Sequence, residues 1–121
     1  MERVRKQLHI NSSDLMKLSG KHVTVCVLDT GVFMHRDLRE RIAFFRDFTT
    51  NYSKSNIPFD DCGHGTHVCG ILAGNGVASR GKYKGVAPSV NLVVGKILDK
   101  NGKGELGNLI NGLEWILEHK K

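Results

Sequence analysis

The apolar positions of this chain fall into three short runs and two spaced stripes. His22 to Leu28 is rich in valine and apolar almost throughout, which predicts a strand buried on both faces of a parallel sheet. Ile42 to Phe48, carrying Phe44, Phe45 and Phe48, predicts a second strand, and Asn91 to Leu98 a third. Val68, Ile71 and Leu72 follow His64 at helical spacing, so a helix should start near His64 and bury its later turns. Leu106, Leu109, Ile110, Leu113, Ile116 and Leu117 form one broad stripe of a further amphipathic helix. Near the start, residues 11–14 offer several N-cap side chains, Leu15 and Leu18 follow three apart, and Gly20 stops what reads as a short helix. Helices alternate with strands, so the expected fold class is α/β, a parallel sheet with flanking helices, in one domain over 1–121 without internal repeats.

Polar and glycine-bearing segments separate these elements. The first strand runs into Asp29-Thr30-Gly31. In open α/β sheets the chemistry gathers at the carboxyl ends of strands, which makes Asp29 a candidate functional carboxylate. An aspartate that organises a turn through its own backbone is the plainer alternative.

Composition narrows the class. The chain has 121 residues, 40% hydrophobic and 25% charged, ordinary values for a globular domain. No apolar run approaches the roughly 20 residues of a membrane helix, so no membrane partner is expected. Met1 to Lys6 is charged and no apolar segment follows it as a signal sequence would require. Cys26, Cys62 and Cys69 are an odd number without framework spacing, which favours free thiols and a cytoplasmic location. The formal charge of +6 is spread over both ends and the loop holding Arg80, Lys82 and Lys84. With 7% aromatic residues and no basic stripe interleaved with them, nucleic acid is not an expected partner.

The densest chemistry lies in residues 60–70, Asp-Asp-Cys-Gly-His-Gly-Thr-His-Val-Cys-Gly. His64 stands between two glycines at a helix start, held by a rigid element yet open on one side, which suits proton transfer. A zinc cluster of Cys62, His64, His67 and Cys69 is disfavoured, because those side chains would not converge from one helix start. Gly76 to Lys82 matches G-x-x-x-x-G-K, but it follows a helix and Tyr83 replaces the magnesium-binding hydroxyl, so it is rejected as a phosphate loop. Gly102 to Gly107 matches G-x-G-x-x-G. Residues 99–101 separate its first glycine from the strand, and an acidic residue about 20 positions on would fall beyond Lys121.

Together these segments resemble those of the subtilisin-like serine proteases, the subtilases. Val23 to Val32 resembles their aspartate segment, and Gly63 to Gly70 their histidine segment with Cys69 where alanine is usual. Gly85 to Pro88 with its following strand, the Asp99–Gly104 loop and the helix through Trp115 resemble what comes next, in order, over about 11–119. The resemblance implies a partial three-layer α/β/α fold and peptide-bond hydrolysis through an acyl-enzyme. His64 would be the general base and Asp29 its orienting carboxylate, with His67 structural, donating a hydrogen bond into the core. Gly102, Lys103 and Gly104 would pair with a peptide or protein substrate as an added strand, and Leu106 would line an apolar substrate pocket. Many subtilases bind calcium through an aspartate like Asp37 and the loop after the histidine helix. Here that loop, Asn75 to Lys84, is basic and lacks carboxylates, so no metal or other cofactor is expected.

The family also needs an asparagine oxyanion donor and a serine in a Gly-Thr-Ser-Met-Ala-like segment. Neither occurs, and the seven serines stand in other contexts. The expectation is therefore the N-terminal part of a subtilase catalytic domain, truncated before its nucleophile, inactive alone and completed by a C-terminal part. The first strand would be central in the complete sheet, so the isolated chain should expose an apolar edge and be poorly soluble or loosely folded. A dinucleotide module using Gly102 to Gly107 and a non-catalytic subtilase-like scaffold are the alternatives.

Overall fold

A computed structural model of the chain describes residues 18–49 and 56–119. The short helix expected near 11–19 falls almost wholly outside the described residues. Three strands form, β1 (Thr24–Asp29), β2 (Ile42–Asp47) and β3 (Asn91–Lys96), with helices α1 (His64–Ala73) and α2 (Leu106–Glu118). Single 3-10 turns occupy Arg39–Arg41 and Val77–Ser79. The sheet is parallel throughout, in the order β1-β3-β2. Asp29 and Asp47 both stand level with Lys96, so the three carboxyl ends finish on one line.

Strand periodicity divides the side chains between two layers. Val27, Phe45, Leu92 and Val94 turn to the face covered by α1, where they bury with Val32, Leu38, Cys69, Ala73 and Val90. Val68 and Leu72 of α1 pack against this cluster. On the opposite face Gly112 of α2 lies against Leu28 and Ile97; a Cβ there would come within 3.2 Å of Ile97 and 3.3 Å of Leu28. Trp115, one helical turn on, is buried and meets Phe48 edge-on at 5.5 Å. The result is helix, sheet, helix.

One expectation is corrected, and the direction of the apolar stripe on α2 is new. β1 is not covered on both faces: Thr24 and Cys26 are exposed, because α2 meets this face at Leu28 and Ile97 and leaves the start of the strand open. The leucine stripe of α2 does not face the sheet. The helix docks through Gly112 and Trp115, and this turns Leu106, Leu109, Ile110, Leu113 and Leu117 outward, with Leu106 72% and Leu117 69% exposed. Beside them Cys26, Phe44, Val93 and Ile116 line an apolar cleft in the uncovered part of the sheet. Among the described residues no helix is long and apolar enough to cross a membrane.

A large apolar side chain gains about 1.5–3 kcal/mol on full burial, and this face leaves that gain unrealised. The chain is expected to self-associate as its concentration rises, and Leu109→Glu with Leu113→Glu to suppress the association. Sedimentation velocity checks this; a wild-type chain that stays monomeric across the concentration series contradicts it.

Candidate active site

The turn after β1 and the start of α1 are built as one unit. Asp29 ends β1, and its carbonyl accepts from Ile97 N (2.9 Å) and Leu98 N (3.2 Å), which holds it to the end of β3. Its side-chain Oδ1 accepts from Thr30 N at 2.6 Å and bonds His64 Nδ1 at 2.8 Å. Gly31 then takes a φ of 119° and bridges to Asp60, with Val32 N donating to Phe59 O at 3.0 Å. A Cβ on Gly65 would fall 2.2 Å from Gly31 O. Glycine at 65 is thus what lets the helix approach the strand end closely enough for His64 to reach Asp29.

α1 begins at Gly63, which carries no capping side chain and has a left-handed φ of 100°. Its free amides are satisfied from outside. Asp60 Oδ1 accepts from Cys62 N (3.0 Å) and Gly63 N (2.8 Å), and Oδ2 from Thr66 N (2.9 Å) and the Thr66 hydroxyl. The Thr30 hydroxyl accepts from Gly65 N (2.8 Å) and donates to Asp60 Oδ1 (2.9 Å). Burial alone would raise the Asp60 pKa; the bonds from Gly63, Thr66 and Cys62 outweigh it and hold the carboxyl far below the usual range.

His64 is the exposed member of the pair, with 65% of its side chain open against 13% for Asp29. Its pKa is raised, first by the hydrogen bond to Asp29, then by the charge of Asp29, with slight burial opposing and Asp60 adding. Bonding through Nδ1 directs the Nδ1–H tautomer and leaves Nε2 to exchange protons on the open side.

The remaining candidates separate. His67 is exposed rather than set into the core as expected; it lines an apolar hollow with His35, Thr66 and Tyr83. Cys69 is fully buried, and burial followed by the charges of Asp29 and Asp60 pushes its thiol up to about 12, so it is inert. Slight burial of the thiol also raises Cys26, although the residue as a whole is exposed. All three cysteines are free. Among the described residues no three His, Cys, Asp or Glu side chains gather as a metal cluster.

The glycine-rich loop folds back on its own strand. Gly104 bridges to Leu98, Asp99 N donates to Lys103 O (2.7 Å), and Asp99 Oδ1 accepts from Asn101 N (2.8 Å) and Lys103 N (3.0 Å). Gly102 takes a φ of 77°, and a Cβ on Gly104 would lie 2.6 Å from the Leu98 side chain. Gly102, Lys103 and Gly104 form an exposed edge with Leu106 beyond it. Gly107 already belongs to the first turn of α2, so the three glycines do not make one phosphate-cradling turn.

Around the loop after α1, Asp37 and Asn75 carry side-chain oxygens that a calcium ion could use. Asp37 is buried, and its Oδ1 accepts from Ala78 N at 2.7 Å, while Asn75 Oδ1 accepts from Val77 N at 3.0 Å. The side-chain oxygens a cation would use are turned to backbone amides, and Arg80, Lys82 and Lys84 add positive charge.

Reading from sequence alone left Thr30, Asp60, Thr66 and Lys96 without roles. Asp60 had a signal, an acidic side chain just ahead of a helix whose first residue cannot cap it. Lys96 had one too, a lone charge inside an apolar strand. The Thr30 and Thr66 contacts depend on tertiary placement.

A folded-state pKa raised above the ordinary 6.5 means that His64 contributes stability fully present below pH 6.5 and lost as pH rises through the raised value. Histidine NMR should show His64 titrating above 6.5, and Asp29→Asn should return it towards that value. A wild-type midpoint at or below 6.5 contradicts the paired geometry.

The sequence model of the Subtilase family matches residues 20–121. Over 104 residues the chain is 44% identical to serine protease AprX of Bacillus subtilis (strain 168), covering 86% of this chain and 23% of that protein. It is 40% identical to the major intracellular serine protease of the same organism, covering 85% of this chain and 33% of that one. The minor extracellular protease Epr, also from that organism, is 34% identical, covering 85% and 15%. Among solved structures, a cold adapted subtilisin-like serine proteinase aligns with a TM-score of 0.68 at 30% identity, covering 86% of this chain and 35% of that one. Sphericase aligns at 0.69 and 29%, covering 83% and 33%. The chain thus spans a third or less of the curated relatives named here, and by its sequence and its site it belongs to the subtilase family.

Proposed function

We propose that this chain supplies the base and its orienting acid for a subtilisin-like serine endopeptidase acting on peptide or protein substrates. The 2.8 Å contact between His64 Nδ1 and Asp29 Oδ1 carries this reading. His64 takes the proton of a serine hydroxyl as that oxygen attacks the scissile carbonyl, then returns it to the leaving amine. Asp29 holds the imidazole in the Nδ1–H tautomer and stabilises the imidazolium between those steps. Gly102, Lys103 and Gly104 offer backbone groups to an extended substrate, and Leu106 gives an apolar contact at the end of that edge.

The 121 residues contain no serine in the family's nucleophile context, so the nucleophile and oxyanion donor come from a further part of the catalytic domain. The outward stripe of α2 and the edge of β1, unpaired among the described residues, support such a partner. The free thiols support a reducing, cytoplasmic setting.

The 121-residue chain is expected to take up no fluorophosphonate probe. In the full-length gene product, His64→Ala should abolish labelling, and Asp29→Asn should lower kcat by about 10,000-fold. Labelling of the short chain that is lost on mutating one of its own serines would overturn the reading; so would a full-length His64→Ala enzyme with wild-type turnover.

The reading includes no calcium in the Asn75–Lys84 loop, supported by the amides that occupy Asp37 and Asn75. A ligand that binds only the folded state raises its stability, so unfolding midpoints should agree in millimolar calcium and in EDTA. A calcium-dependent rise that Asp37→Asn removes would refute this.

A further inference from the structure

Lys96 is a full charge placed where the sheet is otherwise apolar. It closes β3, only 2% exposed, with Val94 and Ile97 buried beside it. Its ammonium has three protons and finds three acceptors: Thr30 O at 2.8 Å, Leu98 O at 2.6 Å and Asp61 Oδ1 at 2.8 Å. It also stands 5.5 Å from the centre of the Phe59 ring. The buried cation is thus completely satisfied, the condition under which such a charge is tolerated.

The three acceptors belong to the three segments that make the site. Thr30 follows Asp29, and its hydroxyl holds Gly65 at the start of α1. Asp61 precedes His64 by three residues and adjoins Asp60, which caps the helix. Leu98 opens the loop that returns at Gly104 as the exposed edge. One side chain therefore ties acid, base and edge together. A methionine could fill the space but would leave the buried Thr30 carbonyl and the part-buried Leu98 carbonyl without their donor, and would free the half-open Asp61 carboxylate to turn to water.

We propose that Lys96 is a positioning residue, setting the Asp29 strand end against the His64 helix start and the Gly102–Gly104 edge; the inference rests on the reading of the Asp29–His64 pair given above. A competing role, direct charge on the imidazole, predicts the opposite sign. Removing a nearby cation lets His64 hold its proton more tightly, whereas loosening the contact with Asp29 makes His64 hold it less tightly. The raised His64 pKa comes from Asp29 and Asp60, with neither Lys96 nor Asp61 among its sources.

The experiment is a histidine NMR titration of the 121-residue chain at low concentration, with Trp115 emission and near-ultraviolet circular dichroism as measures of folding. A folded Lys96→Met chain should show the His64 midpoint lowered towards 6.5, and Lys96→Arg, which keeps the charge and its donors, should restore much of the wild-type value. A folded Lys96→Met chain whose midpoint equals or exceeds the wild type overturns the proposal. Where Lys96→Met does not fold, Asp61→Ala decides, since its half-open side chain can be removed and takes one acceptor of the ammonium with it. A lowered midpoint in Asp61→Ala is the expected result, and an unchanged one overturns the proposal. The wild-type titration separates the two inferences: a wild-type His64 without a raised midpoint removes the Asp29–His64 pair itself, whatever Lys96 does.

Discussion

The carboxylate of Asp60 is the contact on which the site depends. α1 starts on a bare glycine, and the unsatisfied amides of a helix start need partners. Asp60 takes three backbone amides and two hydroxyls from Thr30, Cys62, Gly63 and Thr66. Because Thr30 also receives Gly65 N, the cap of the helix and the end of β1 become one network. His64 and Asp29 hang from its two sides. Their 2.8 Å separation follows from the network rather than from any restraint on the exposed imidazole itself.

The elements were legible because their patterns are local. Valine-rich runs ending in turn residues marked β1 and β3 to within two residues at each end, and the glycines around His64 marked the start of α1. What stayed hidden needed the third dimension. The leucine stripe of α2 was visible as a stripe, yet its direction was not, since Gly112 and Trp115 on another side of the helix supply a closer fit to Leu28, Ile97 and Phe48. Periodicity counts apolar positions and is blind to how near a backbone can approach. In the same way Asp29 was found by its place at a strand end, while Thr30, one residue on, owes its role to Gly65, which is 35 residues away in sequence.

The two faces of α2 explain each other. Docking through a glycine brings the helix close to the sheet but buries little side-chain area, leaving Trp115 as the large anchor. The helix is held by shape around Gly112 and Trp115, and its leucine stripe stays outside that contact. Among the described residues β1 also has β3 as its one strand partner, so the chain offers both an edge that can take a strand and a stripe that can take a covering layer. Such a surface is costly in water and natural at an interface.

Electrostatics at the start of α1 work against each other in a useful way. The positive end of a helix disfavours an imidazolium, by a few tenths to about 1 kcal/mol at an exposed site. Two carboxylates face it, one bonded to Nδ1 and one spread across the helix amides. Asp60 spends its charge on the helix end, so it largely neutralises the field that would otherwise drive protons off His64. Asp29 Oδ1 is then left to the imidazole and the adjoining Thr30 amide. Had one carboxylate served both tasks, a bond to the helix amides would have drawn it away from the ring. Dividing capping and orientation between two aspartates lets the helix be held tightly while Nε2 stays open to exchange its proton.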